Sequence, residues 1–203
     1  MGVNRAGFGI VEDAVVREAA TQEIIRRYFR SACEYAMGLA DRDTLQRSEQ
    51  LMKDLDISQE YRDVVPPARE AAKEGQKKGK GSEGIYCGAA LKLMDGTIVK
   101  GKNSPLMHAA SSLILNATKQ LAKIPDNMHL LPPAITESLG NFKKDVLQGK
   151  MLSLDLEETL IALCISSISN PAAHLAVEQL KELRGCEVHI THIPTPGDEG
   201  GLR

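Results

Sequence analysis

The stretch that most constrains this fold is residues 85 to 122. IYCGAALKLMDG reads as a strand ending in an Asp95-Gly96 turn, TIVKGKN as a returning strand, and SPLMHAASSLILNATKQLAK as a long helix over 104–122. Asp-Gly between two β-leaning runs is a strong hairpin signal, because the favoured two-residue turn needs positive φ at both central positions. A hairpin that feeds directly into a helix aims the loop Lys102-Asn103-Ser104 at a helix N-terminus. Backbone donors are free there, and anions are favoured. This names a place for a site without naming a reaction.

The preceding segment is predominantly helical. Asp13 is placed to cap a helix over 14–36, with Val16, Ala20, Ile24, Ile25, Tyr28, Phe29, Ala32 and Ala36 recurring at helical spacing. Gly38 ends it. A second helix is expected over 43–55, with Leu45, Leu51, Met52 and Leu55 inward. A third is expected over 68–74, opened by Pro67. Residues 75–84, rich in glycine and lysine with no apolar side chain, read as a flexible linker. The chain then divides into a helical subdomain (1–74) and an α/β subdomain (85–203), an α+β protein. Within the second part a short strand is expected at 128–131. A helix over 155–168, apolar nearly all round and therefore buried, should follow it. The remainder reads as a helix from Pro171 to 183 and a strand over 186–193 with Cys186, Val188 and Ile190 on one face. The tail TPGDEGGLR closes nothing, and both ends read as cut.

Composition excludes several roles. With no Trp and 3% aromatics, the chain lacks stacking platforms for single-stranded nucleic acid. A formal charge of −2 provides no global attraction to polyanions. No apolar run is long enough to span a membrane, and neither a signal peptide nor a myristoylation motif opens the chain. Cys33, Cys87, Cys164 and Cys186 are widely spaced in apolar surroundings and read as reduced thiols of a cytoplasmic protein.

Few residues carry chemistry. Gly75 to Ser82 has the wrong spacing for a phosphate loop and precedes a strand instead of following one. His189 and His192, three apart in a strand, point to opposite faces and lack a third ligand, so no metal is assigned. His108 lies off the core stripe of Leu106, Ala109, Ala110, Leu113, Ala117 and Leu121. It faces solvent, a cleft or a partner. Lys102, Asn103, Ser104 and His108 are therefore the anion-binding candidates. The competing reading is that Asn103 or Ser104 simply caps the helix, with Pro105 at its first position.

NRAGFGIVEDAVVREAATQEIIRRYF, GTIVKGKNSPLMHAASSLILNATKQLAKIP and the closing GCEVHITH with DEGGLR resemble the C-terminal portion of a bacterial family known as domain of unknown function 1846. The resemblance covers nearly all of the chain. It implies a parent more than twice this length, whose N-terminal half carries a phosphate-loop-like segment in a Rossmann-like layout. It also implies that the α/β part is similar in topology to the cytidine-deaminase-like fold. Zinc deaminases open the corresponding helix with His-x-Glu and supply Pro-Cys-x-x-Cys later. Here His108 is followed by Ala109 and Ala110, and no Cys-x-x-Cys exists, so zinc deamination is not expected. Two expectations follow. In one, the chain contributes side chains to an interdomain ligand or nucleotide cleft shared with the N-terminal half. In the other, it is a structural or oligomerisation module, its 14–36 helix pairing with a partner. No cofactor is assigned.

Overall fold

The computed structural model describes residues 13–149 and 152–203. Residues 1–10, whose sequence reads as unstructured, lie outside them. Two compact units divide between Arg62 and Asp63.

In the first unit, α1 (Asp13–Ala36) packs along α2 (Arg42–Asp54), and a 3-10 turn at Gln59–Tyr61 follows. Asp41 caps α2, its carboxylate accepting from Thr44 N at 2.7 Å. The α1 stripe is covered only around its middle: Ile25 is buried, and Val16 is exposed. On α2, Met52 is buried but Leu51 and Leu55 are exposed, against expectation.

The second unit is built on a three-stranded antiparallel sheet, in the order β2 (Ile98–Lys102), β1 (Gly88–Lys92), β3 (Glu187–Ile190). The β1–β2 hairpin has a three-residue connection. Gly96 N donates to Leu93 O and Leu93 N to Thr97 O, both at 2.9 Å. Only Gly96 adopts positive φ, at 87°, so this is a turn followed by a left-handed residue and not the two-residue form that Asp-Gly suggests. The Asp95 carboxylate accepts from Thr97 N and takes over the turn-stabilising role.

Alternation along the strands dictates the layers. Ala89, Leu91 and Val99 face α4 (Ala109–Ala122), packing with Ala109, Ala110, Leu113 and Ala117. Ala90 and Ile98 face α3 (Val65–Lys77), packing with Val64 and Ala68. On that same face, Lys100 and Lys102 pair with Glu70 and Glu74 of α3. Two strand glycines let the helices approach closely. A Cβ on Gly88 would overlap the α3 backbone at Ala68 and Ala72, and one on Gly101 would lie 2.6 Å from Leu113 Cα and 2.7 Å from Ala109 O.

α3 therefore belongs to the sheet, which is why the units divide ahead of the expected 75–84 linker. It continues through Lys77, with Gly75 buried; an exposed turn and a Ser82–Ile85 bridge complete that stretch. The prolines at 66 and 67 occupy its first turn, where missing N–H groups cost nothing.

After α4, residues 128–131 form no strand; two leucines there, Leu130 and Leu131, instead join a core with Leu115, Leu163 and Ala173. α5 (Pro133–Asp145) forms in a stretch whose sequence reads as irregular or partly helical. α6 (Leu156–Ser166) opens with an Asp155–Glu158 capping box and is not buried all round. Leu156 and Leu163 are inside, while Ile161, Ile165 and Ile168 form an exposed ridge. α7 (Pro171–Gln179) is capped by Asn170. The tail, expected to close nothing, forms α8 (Pro196–Leu202), with its own Thr195–Asp198 capping box, and packs on α6.

Candidate functional site

Residues 104–107 form a turn and not the first turn of a helix. The Ser104 hydroxyl accepts from Leu106 N and Met107 N, both at 3.2 Å, and Ser104 N donates to Met107 O. This local bonding replaces helical bonding, and α4 starts only after His108, its N-cap. Asn103 is the most committed of the candidates. Its Oδ1 accepts from Cys87 N at 2.8 Å, its Nδ2 donates to Ile85 O at 2.9 Å, and its main-chain N donates to Cys87 O at 3.1 Å. Lys102 turns to Glu74 at 3.4 Å. The four candidates are thus close in space but divided. Lys102, Asn103 and Ser104 border one cavity; Asn103, Ser104 and His108 border another.

The second cavity, about 300 Å³, is lined by Cys87, Ala109, His108 and His192 together with Ile85 and Ile193. Beneath it, Asp198 is fully buried. Its Oδ2 lies 2.8 Å from His108 Nδ1 and 3.9 Å from His192 Nε2, and accepts from Thr195 Oγ1 at 2.9 Å; its Oδ1 accepts from Leu156 N at 3.1 Å. One carboxylate therefore serves two imidazoles, whose rings stand perpendicular with centroids 6.5 Å apart. The far nitrogens, His108 Nε2 and His192 Nδ1, are buried with no hydrogen-bond partner. Burial works against the His192 cation, but the Asp198 carboxylate and the Cys87 sulfur outweigh it and raise the ring pKa to about 9. Burial likewise opposes the Asp198 charge, and His108 and His192 overcome it, holding the carboxyl far below the usual range.

The first cavity is a larger cleft of about 610 Å³ whose lining includes Lys80, Lys100, Lys102 and Lys119, with Glu74 and Glu137 as the acidic counterweight. Lys119 is partly desolvated, which lowers its pKa, and its Nζ donates to the main-chain carbonyl of Asp126 at 3.0 Å. Among the described residues no group of three or more His, Cys, Asp or Glu is arranged to hold a metal ion.

Residues 60–203 match the family model described as domain of unknown function DUF1846, C-terminal, and residues 1–56 match its N-terminal counterpart. The chain belongs to the DUF1846 family. The junction between the two family models lies beside the junction of the compact units at Arg62 and Asp63. A UPF0371 protein of Clostridium tetani (strain Massachusetts / E88) is 45% identical over 203 residues, covering 100% of this chain and 40% of the relative. A UPF0371 protein of Clostridium botulinum (strain Alaska E43 / Type E3) is 47% identical, also over 100% of this chain and 40% of the relative. The chain therefore spans about 40% of the length of these curated relatives.

Within this DUF1846 chain, sequence reasoning located His108 but missed its partners. Asp198 lay in a tail read as unstructured, although Thr195-Pro196-Gly197-Asp198 carries a helix-start signature: a threonine cap, proline at the first position and an acid three residues on. His192 was weighed only with His189 as a metal pair. His189 is buried on β3 opposite Ala90, whereas His192 lies past the strand end and turns into the cavity. Cys87 had no local signal; only the hairpin fold brings it beside residues a hundred positions away.

Proposed function

We propose that this chain is the ligand-binding part of a larger bacterial protein, and that its lysine-lined cleft takes an anionic small molecule such as a nucleotide or other phosphate ester. The carrying observation is the convergence of Lys80, Lys100, Lys102 and Lys119 on one concave surface. A partly desolvated ammonium such as Lys119, bonded to a carbonyl and not to a carboxylate, gains most from an incoming anion. Domain interfaces commonly supply such clefts, and the longer relatives support completion of this one by the rest of the parent. The hairpin that feeds a helix, with β3 on the free edge of β1, supports a deaminase-like arrangement of the α/β part. Ala110 stands where zinc deaminases carry glutamate, so the arrangement brings no deaminase chemistry. Four free thiols support a cytoplasmic setting. Among the described residues no helix is long and apolar enough to cross a membrane.

Calorimetric titration of the full-length parent with ATP and with inorganic phosphate tests this. Saturable binding that weakens at least tenfold in K102E and K119E is expected. A parent that binds neither, or variants that bind equally well, would remove the reading. The exposed Ile161, Ile165 and Ile168 ridge favours the second reading, a structural or oligomerisation module. That reading is supported instead if the parent binds no anion and the isolated chain self-associates through α6.

A further inference from the structure

We propose that the smaller cavity is a nucleophilic thiol site, in which Cys87 attacks a small acyl ester or thioester, His192 serves the sulfur as its proton partner, and Asp198 and His108 position and charge the pair. The inference concerns a different cavity from the lysine cleft and stands whether or not that cleft binds anions.

Four observations carry it. First, Cys87 is only 7% exposed, yet it lines an open cavity of about 300 Å³. Its backbone is clamped on both sides by Asn103, which fixes where the sulfur sits. Second, the imidazole it acts on has an acid behind it. His192 Nε2 faces Asp198 while Nδ1 is buried without a partner. Cys87 and His192 line the same cavity, and a nucleophile beside a base that a carboxylate orients is the arrangement by which thiols and hydroxyls are activated. The 3.9 Å spacing from Nε2 to the carboxylate is long for a hydrogen bond, as such contacts often are before substrate is bound. Third, His108 is nine-tenths buried, lines the same cavity and leaves Nε2 unpaired. Its Nδ1 donates to Asp198, which fixes the ring with Nε2 on the side away from the carboxylate. Fourth, α4 has fourteen residues and no side-chain cap, and its first residue, Ala109, is part of the lining. Its first backbone amides are thus available to an oxyanion.

The raised His192 pKa agrees with a cation that the Asp198 carboxylate favours. In a core with only structural duties, two imidazole nitrogens buried without partners would be a cost with no return. The walls of Ile85, Ile193 and Ala109 suit a short acyl chain.

The step balances without an external oxidant or reductant. The Cys87 sulfur forms a bond to the acyl carbon as the bond from that carbon to the alcohol or thiol leaving group breaks. The leaving group departs with a proton from the imidazolium. Water then attacks the thioester carbonyl, a proton passes to the imidazole, the C–S bond breaks, and a carboxylic acid is released.

The test uses p-nitrophenyl acetate on the full chain and on the full-length parent, with acetylation sites and rates read by peptide mass spectrometry. Cys164, exposed and outside the cavity, is the internal reference. At neutral pH Cys87 is expected to acetylate at least about tenfold faster than Cys164, and H192Q to lower the Cys87 rate by about a hundredfold while leaving Cys164 unchanged. C87S should keep the fold, by its melting curve, and show no adduct in the cavity. If H192Q does not fold, the wild-type pH profiles decide. The Cys87 rate should be nearly flat between pH 6 and 8, where the Cys164 rate climbs with thiolate fraction. Cys87, His108, His192, Asp198 and Glu83 are the titratable groups facing that surface. Equal rates at the two cysteines, an unaffected H192Q, or parallel pH profiles would each overturn the proposal and leave Cys87 a core thiol.

Discussion

Asp198→Asn is the most informative single change, because the buried carboxylate answers to two imidazoles and a helix start at once. In the folded protein His192 titrates at about 9 against 6.5 for its ordinary value. A group whose pKa is raised on folding stabilises the fold fully below its unfolded pKa and loses that contribution as pH climbs through the folded one. At about 1.4 kcal/mol per unit the displacement is worth about 3 kcal/mol, present at pH 6 and gone near pH 10. With the His192 side chain 24% exposed, little of this is lost to solvent screening. Cys87 shares that contribution with Asp198, so only part of it goes when the carboxylate is replaced. Asparagine also offers an N–H where His108 and Thr195 donate, adding about 1–2 kcal/mol that does not depend on pH. Guanidinium unfolding should therefore show D198N destabilised by about 3–4 kcal/mol at pH 6 and by about half of that at pH 10. A gap of the same size at both pH values would refute the charge argument. A variant as stable as wild type at pH 6 would refute the cluster itself.

Gly101→Ala should destabilise by about 1–3 kcal/mol in the same assay, since the new methyl meets backbone atoms of α4 that cannot rotate away; wild-type stability would mean the sheet and α4 lie farther apart. Purified protein should contain no stoichiometric zinc by elemental analysis, given the absent glutamate and Cys-x-x-Cys; one zinc per chain contradicts this. Limited trypsin should cut first within 78–84, where the lysines are exposed and no helix or strand protects them, and first cleavage inside α4 would contradict it. Ile165→Lys should reduce self-association by light scattering, because it breaks the Ile161–Ile165–Ile168 ridge at its centre; unchanged association would place the contact elsewhere.

Much of the layer arrangement was legible. The hairpin, the helix behind it and the terminal strand follow from alternation and turn chemistry, because each is a local pattern. Boundaries failed where a side chain bonded its own backbone. Ser104 drew four residues into a turn, and α4 began at Ala109 instead of 104. Inside and outside failed on α6, since its apolar residues cover nearly its whole circumference while the fold covers only one side. The exposed stretch starts after Lys77 and not at 75, because helix propensity persists to there and α3 has a sheet to pack on. Of the cavity cluster, only His108 was visible in advance. Its carboxylate is 90 positions away, and a contact of that range leaves no periodic trace.

Gly88 and Gly101 also act as a key for the hairpin. One glycine lies under α3 and the other under α4, on opposite faces of paired strands. Sliding one strand by a single residue would turn its inward face outward. Sliding by two would bring Tyr86 or Ala90 to the place of Gly88, or Val99 or Asn103 to that of Gly101, and every one of these has a β-carbon. Only one alignment leaves both positions empty of side chain, and it is the alignment that sets Asn103 across from Cys87. Excluded volume on two faces of a five-residue strand pair thus decides, at the moment the hairpin docks, where a single sulfur atom will stand.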